Sequence, residues 1–216
     1  MSRWIAPLLA LALVAPLSML TGQSQATRKP AAAPTRFTLG ATGNEARYVV
    51  REQLAAATVE NDAVGTTSAL TGSLLLDASG RVDSAESKWT VDLTTLKSDR
   101  SFRDRYIQGR TLETERFPSA QLVVTAIQGL PSVLPEAGAL TLTLLGNFTL
   151  HGITRPTTWE VAATVAGNHV SGKATTHLKF ADFNMTQPRV PVLASVADDI
   201  KLEYDFHLIR QEPVTP

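Results

Sequence analysis

The chain has 216 residues, with 20 Lys and Arg against 20 Asp and Glu, so its formal net charge is zero. That balance excludes the strongly basic field with which many proteins attract nucleic acids or anionic membranes. The chain has no cysteine, which excludes disulfide bonds, thiol catalysis, cysteine metal sites and a lipid-modified N-terminal cysteine. At this length, one domain with a sizeable core is expected.

The N-terminal segment has the pattern of a secretory signal. Arg3 supplies a positive start, Trp4–Leu20 is almost wholly apolar, and Ser24–Ala26 forms a small-residue cleavage site. We therefore expect residues 1–26 to be a signal peptide, removed on export to the periplasm or the extracellular space. Two prolines and the short apolar run favour cleavage over the alternative, a retained membrane anchor. The mature chain would carry 19 basic and 20 acidic residues, a net charge of −1.

Alternation of polar and apolar residues with a period of two dominates the chain from Arg47 onward and is typical of two-faced β-strands. By composition, residues 27–44 are predicted to be a flexible spacer and residues 211–216 a frayed tail. The alternation between them predicts eight strands: Glu45–Leu54, Thr67–Leu76, Val82–Leu93, Ala120–Leu130, the two arms of a hairpin within Leu140–Val161, His169–Phe180, and a last strand around Ile200–Leu208.

Several of these predicted strands are about ten residues long, which exceeds the usual strand length. Eight long antiparallel strands joined mainly by tight turns fit an up-and-down barrel, and a barrel of that size can just hold one small ligand. A two-sheet sandwich would show the same alternation, so the pattern alone leaves both all-β architectures open.

Two segments depart from the strand pattern. Ser98–Gly109, between the third and fourth strands, is predicted to be a short helix with Ser98 as its cap and Gly109 as its end. Ala181–Asp198 is too long for a simple hairpin turn and carries several apolar residues. Long loops in compact domains often act as lids or binding loops, so we expect this one to gate an opening.

Three sequence stretches carry a resemblance to a known family. They are Trp89–Ala120, which contains D-L-T-T-L, R-D and R-F-P, the turn Leu150–Pro156 with the sequence L-H-G-I-T-R-P, and Phe180–Met185. In this order and spacing they resemble the YceI family of polyisoprenoid-binding-like proteins. The resemblance covers residues 45–210, which we interpret as one lipid-binding barrel domain.

The resemblance implies an exported, lipocalin-like barrel of eight antiparallel strands around a long apolar pore that holds an isoprenoid or another long-chain amphiphile. Without it, the same apolar stripe would indicate an ordinary packed core, although small residues at Ala163, Gly172 and Ala174 leave room. The predicted ligand-binding pore residues are Trp89, Val91, Leu122, Val124, Leu142, Leu144, Trp159, Val161, Leu178, Phe180, Ile200, Leu202, Tyr204 and Phe206.

A second group of residues is predicted to form a lid or to bind a ligand head group: Phe102, Arg103, Tyr106, Ile107, Phe183, Met185 and Arg189. The basic residues around the helix suit an anionic head group. Acidic residues are interspersed among them, however, so an ordinary solvated helix face explains them as well. Arg103 and Asp104 would then pin the helix to the barrel rim.

His151 is the only histidine within one of the family-like stretches. A general base or a metal ligand is one interpretation. A structural hydrogen bond in the turn explains it equally well, with His151 and Pro156 shaping that turn. The other histidines lack metal-ligand spacing, and the chain contains no phosphate loop and no G-x-S-x-G motif.

These observations predict a protein that is not an enzyme and that carries or stores a long-chain isoprenoid, quinone or fatty-acyl compound, without a cofactor or metal. Two alternatives stay open: a lipid-modifying isomerase or hydrolase with a polar cluster in its pore, and an interaction module with a filled core. We expect no nucleic-acid partner. A transient membrane contact and a homodimer are further partners that the sequence allows.

Overall fold

The computed structural model describes residues 33–211, which form an almost purely β domain. The predicted signal peptide, the first part of the predicted spacer and the residues after Gln211 lie outside this range. The strands are β1 (Thr35–Leu39), β2 (Glu45–Leu54), β3 (Asn61–Thr67), β4 (Leu70–Leu76), β5 (Lys88–Asp92), β6 (Lys97–Ser98), β7 (Ser119–Gln128), β8 (Ala137–Leu150), β9 (Ile153–Ala166), β10 (His169–Leu178) and β11 (Leu193–Arg210).

Eight of these strands close into an antiparallel barrel. They follow one another around the ring in the order β1, β4, β5, β7, β8, β9, β10 and β11, and β11 pairs with β1 to complete it. This closure confirms the predicted eight-stranded barrel and shows that the sandwich alternative is wrong. β2, β3 and β6 extend from the edge of β11 beyond the ring.

The closure depends on the length of β11, which has 18 residues. One edge of β11 pairs with β10 from Ile200 to Ile209. The opposite edge is divided: Leu193–Asp205 pairs with β2, and Leu208–Arg210 pairs with β1. β11 therefore belongs both to the ring and to the extension formed by β2 and β3.

The prediction that residues 27–44 form a flexible spacer is wrong for Thr35–Leu39, because this segment is β1. Phe37 is buried and stands opposite Leu74 of β4 on one side and Arg210 of β11 on the other. Five residues are too few for alternation to be recognised against the polar residues on either side. The domain thus begins earlier than the predicted residue 45.

The second and third predicted strands also need correction. The structure has a separate strand, β3, before β4, and the third predicted strand is reduced to β5, with only an isolated bridge from Leu76 to Val82 before it. β3 contains Gly65, and a Cβ atom at that position would lie 2.3 Å from the ring of Tyr48. The glycine makes room for this ring, and the rest of β3 is small or polar apart from Val64, so β3 lacks the run of large apolar residues that marks a strand in the sequence.

The helical segment starts and ends later than predicted. α1 spans Ser101–Tyr106 and continues as a π-helical turn through Ile107–Thr111, so Gly109 does not end it. Ser98 belongs to β6 and is not the cap. Instead, its backbone N–H and its hydroxyl both donate to Asp104 Oδ1, at 2.8 and 2.6 Å. Asp104 therefore holds the helix against β6.

The predicted long loop is shorter than Ala181–Asp198. A 3₁₀ turn spans Phe180–Phe183, and β11 already begins at Leu193, which leaves Asn184–Val192 as the irregular segment. The polar and small residues at the start of β11 obscured its alternation.

The β8–β9 hairpin turns through two residues only, His151 and Gly152, both with positive φ. The predicted turn therefore ends before Pro156, which lies within β9 opposite Asn147. A proline is tolerated there because the pairing of β9 with β10 extends only as far as Glu160, so the outer edge of β9 needs no N–H donor at this position. His151 shapes the turn as predicted, whereas Pro156 does not.

The described residues contain no helix of sufficient length and hydropathy to span a bilayer.

We predict that Gly172→Ala destabilises the barrel by about 1–3 kcal/mol, the usual cost of overpacking. A Cβ at Gly172 would lie 2.0 Å from the carbonyl oxygen of Ala162 and 2.8 Å from the ring of Phe206, so strand β9 or the ring must shift. The control is Gly109→Ala, where a Cβ meets no atom within 4 Å. Urea unfolding of the two variants should separate them. Equal stability would contradict the predicted contact of Gly172 with β9.

Candidate functional site

The inner faces of the strands enclose a cavity of about 550 Å³. This volume lies within the roughly 300–1,000 Å³ typical of small-molecule sites. We call this cavity the pore. Aliphatic and aromatic side chains from every strand of the ring form its wall. The loop between β7 and β8 adds Leu130 and Leu134, and the segment before β11 adds Val190 and Val192.

Most residues predicted to line a pore do line it, and whether they bind a ligand stays a prediction. The predicted residues that the structure places in the wall are Trp89, Val91, Leu122, Leu142, Leu144, Trp159, Val161, Leu178, Phe180, Ile200, Leu202, Tyr204 and Phe206. Their shared feature is the alternation itself, which assigns every second residue of a strand to the inner face.

Val124 is the exception among the predicted wall residues, because it is fully buried and does not border the pore. It lies at a register shift between β7 and β8, where Val124 pairs with Gly146 and the next paired residue is Ala126. After this irregularity the inward position passes to Ile127, which does line the pore. An irregularity of this kind reverses which residues face inward.

The three small residues that were predicted to leave room for a ligand differ in whether they enlarge the pore. Ala163 and Ala174 line the pore, so their short side chains enlarge it. Gly172 does not, because the ring of Phe206 occupies the space beside it. The expectation that Gly172 leaves room for a ligand is therefore wrong, and this glycine accommodates a wall residue instead.

Part of the wall was not predicted from the sequence. β1 contributes Phe37, β2 contributes Tyr48 and Val50, and β3 contributes Ala63. The even-numbered residues of β2, including Glu52, all line the pore. The alternation of this strand could therefore have been recognised in the sequence. A glutamate on an otherwise apolar strand face is a sign of a buried charge pair.

The wall contains two half-buried tyrosines, Tyr48 and Tyr204. The hydroxyl of Tyr204 donates to Asn44 Oδ1 at 2.9 Å, and burial raises the pKa of Tyr204 above its usual value. The indole N–H of Trp89 opposes that rise weakly, although it does not meet the geometry of a hydrogen bond. Burial likewise raises the pKa of Tyr48, so both tyrosines stay neutral.

The opening of the pore, which we call the mouth, lies between α1, β2 and the segment before β11. At the mouth, Arg103 of α1 forms a 2.6 Å ion pair with Glu52 of β2 and also binds Asp99. The side chains of Arg103 and Glu52 are only 11% and 7% exposed. The predicted alternative, that Arg103 pins the helix to the rim, describes this contact. Asp104 instead holds the helix to Ser98 of β6.

The predicted lid and head-group residues separate into two groups. Phe102, Arg103, Tyr106, Ile107 and Met185 line the pore. Phe183 does not, because it is almost fully buried and packs edge-to-face on Phe148 with their centroids 5.6 Å apart. Arg189 is exposed and does not line the pore either. Phe183 is thus a core residue and not a lid.

His151 lies outside the pore and has a structural role in the turn. Its Nδ1 lies 3.1 Å from the carbonyl oxygen of Phe183, and its ring packs on Phe117. Its Nε2 is 3.4 Å from Glu113 Oε1 without hydrogen-bond geometry. Asp182 also lies outside the pore, where it accepts a hydrogen bond from the backbone N–H of Lys179. Neither residue places a titratable group in the pore.

Within residues 33–211, no group of three or more His, Cys, Asp or Glu side chains is arranged to hold a metal ion.

A closed antiparallel barrel with an apolar pore and a charged pair at its mouth is the architecture of a small-ligand-binding barrel. Residues 37–208 match the family described as the YceI-like domain. The chain therefore belongs to the YceI-like family, as its motifs predicted.

Sequence relatives and solved structures agree with this assignment. A UPF0312 protein of Pseudomonas putida (strain W619) is 33% identical over 111 residues, which are 47% of this chain and 54% of that protein. The chain thus spans about half the length of this relative.

The barrel is similar to a polyisoprenoid binding domain from Saccharophagus degradans, with a TM-score of 0.60 and 13% identity over 82% of this chain and 98% of that one. It is also similar to Burkholderia cenocepacia BcnA, with a TM-score of 0.54 and 16% identity over 77% of this chain and 95% of that one. At these identities the likeness shows the fold alone.

We predict that Arg103→Met destabilises the protein by about 3 kcal/mol or more, because Glu52 would remain buried without its partner. The matched control is Arg105→Met on the same helix, since Arg105 is exposed and forms no salt bridge with the described residues. Urea unfolding should show a large loss only for Arg103→Met. A similar small effect for both would mean that the pair contributes little.

A charge network surrounds Glu203 of β11, which lies between Leu202 and Tyr204 and, like Arg47, also borders the pore. Lys201, Lys173 and Arg47 lie 2.6, 3.1 and 3.0 Å from its carboxylate. Hydrogen bonds, first from Lys201 and then from Lys173 and Arg47, lower the pKa of Glu203 from 4.5 to about 2, against the opposing effect of desolvation.

We predict an acid-sensitive contribution to stability from Glu203. Because its pKa is lower in the folded state, its contribution is full above pH 4.5 and is lost as the pH falls toward about 2. Thermal unfolding measured across this range should show a smaller slope with pH for Glu203→Gln than for the unmodified protein. Identical slopes would show that Glu203 is not stabilised by its cationic neighbours.

Proposed function

We propose that this protein binds one long-chain amphiphile in the pore and carries or stores it without chemical change. The single observation that carries this proposal is the apolar pore itself, with its opening at the mouth. An isoprenoid, a quinone with an isoprenoid tail and a fatty-acyl compound all suit such a wall. The structural similarity to a polyisoprenoid binding domain supports this ligand class.

The energetics of such a site come from burial. Each CH₂ group removed from water contributes about 0.8 kcal/mol before the costs of ordering are subtracted. A chain of several isoprene units would therefore bind tightly without many polar contacts. A wall formed by large aliphatic and aromatic side chains provides no directional selectivity, so length and thickness of the chain would govern which ligand fits.

The charged pair at the mouth is the best candidate for a contact with the ligand's polar end. Arg103 and Glu52 both line the pore, and Arg100 lies beside them on the same side. A head group placed here would stay near water while its chain occupied the apolar interior. This arrangement orients the ligand with its polar end at α1.

Binding without catalysis is favoured over a lipid-modifying enzyme by the position of the titratable groups. The enzyme alternative requires a reactive polar cluster beside the buried chain, with His151 or Asp182 as its expected members. Both lie outside the pore, and the described charges that border it are engaged in ion pairs, such as Arg103 with Glu52. An exported location, through the predicted signal peptide, is part of the same proposal.

The test is native mass spectrometry and organic extraction of the protein purified without detergent from a lipid-rich host. We expect one bound lipid per protein. Ala174→Phe, which projects into the pore, should reduce the bound lipid at least several-fold, because the added ring occupies the space of the chain. The control is Ala162→Phe, on the exposed face of β9.

Thermal unfolding of each variant should first establish that it folds, and Ala163→Leu replaces Ala174→Phe if that variant does not. Recovery of the unmodified protein without any lipid would argue against carriage. Equal lipid content in Ala174→Phe and Ala162→Phe would place the lipid outside the pore.

A further inference from the structure

The exposed large apolar side chains are distributed unevenly over the barrel. Within the described residues there are four: Val59 at 73%, Phe102 at 57%, Val192 at 49% and Val133 at 79% exposure. Phe102 and Val192 line the mouth while remaining exposed to solvent. Val59 lies in the β2–β3 loop, which a 2.9 Å hydrogen bond from Ala55 N–H to the carbonyl oxygen of Val192 joins to the same rim.

Val133 lies at the opposite end of the barrel. Its loop connects the end of β7 to the start of β8, and Arg210 donates to the carbonyl oxygen of Pro135 in this loop. Val133 does not line the pore. Three of the four exposed side chains therefore lie around the mouth, and the fourth lies at the other end of the barrel.

The rim carries both paired and unpaired charges. The acidic residues Glu52, Asp99 and Asp104 are engaged by Arg103 or Ser98. Arg105 and Arg189 are exposed and form no salt bridge with any described residue. Glu60 and Glu115 are exposed and also form no salt bridge with any described residue, so these unpaired charges balance.

We propose that this rim docks on the surface of a phospholipid bilayer. Val59, Phe102 and Val192 would enter the interfacial region, and Arg105 and Arg189 would contact phosphate groups. The mouth would then open directly onto the bilayer, so that a lipid chain passes into the pore without crossing water. This inference rests on the proposed function, because it takes the ligand to come from a membrane.

The arrangement favours a bilayer over a second copy of the chain as the occupant. Phe102 and Val192 contribute to the pore and to the outer surface at once. A second copy seated here would close the mouth and block exchange of the ligand. A bilayer covers the same side chains and supplies the ligand.

The experiment is co-sedimentation of the chain from Thr27 onward with vesicles, since the ring of strands closes within Thr35–Arg210. The vesicles contain either phosphatidylcholine alone or equal parts of phosphatidylcholine and phosphatidylglycerol. Because the unpaired charges of the rim balance, we expect similar binding to both kinds of vesicle and little change at high salt.

The decisive comparison is a matched pair, Val59→Asp and Val133→Asp, which introduces the same change at two exposed valines that do not line the pore. Val59→Asp should weaken vesicle binding about tenfold, and Val133→Asp should leave it unchanged. Equal effects of the two variants, or no vesicle binding by the unmodified chain, would overturn the docking proposal. So would a change of oligomeric state in Val59→Asp, seen by analytical ultracentrifugation, without a change in vesicle binding.

Lipid extracted from the same preparations separates this proposal from the proposed function. A Val59→Asp variant that retains its bound lipid but loses vesicle binding would support both proposals. A chain that carries lipid but binds no vesicle keeps the carrier function and overturns the docking surface. A chain that binds vesicles through Val59 but never contains lipid supports docking and overturns the carrier function.

Discussion

The continuous antiparallel pairing of β11 is the constraint on which the rest of the structure depends. Its outer edge is shared between β2 and β1, so the same strand closes the ring and supports the extension that carries the mouth. Without that shared edge, the sheet would have two open edges in place of a closed barrel, and unpaired strand edges are costly and prone to association. Closure also fixes which residues face inward, and this alternation is what gives the pore an apolar wall.

Close approaches within the wall set the shape of the pore as much as its large residues do. At Gly65 and Gly172 the missing side chain is replaced by the rings of Tyr48 and Phe206. These rings occupy fixed places against neighbouring strands, whereas Ala163 and Ala174 leave space open. Glycine and alanine therefore have opposite consequences in this barrel: the first admits a wall residue, and the second enlarges the interior.

The architecture and most of the pore wall were predictable from the sequence, because long strands with strict alternation reveal both the strand and its inward face. β1 and β3 were not, since one is short and the other is rich in small and polar residues. Val124 was assigned to the wall because it alternates with Leu122, and alternation does not distinguish a residue that borders the cavity from one that is fully packed. The Arg103–Glu52 pair joins residues 51 positions apart, which no local spacing reveals.

The Arg103–Glu52 pair also couples two events that would otherwise be separate. The guanidinium of Arg103 binds Glu52 on the barrel wall and Asp99 beside its own helix, so its donors hold α1 in place. An anionic group arriving at the mouth would compete with Glu52 for the same donors. Binding of an anionic ligand to Arg103 would then release the helix from β2. The charge of the ligand would itself govern how easily the mouth opens.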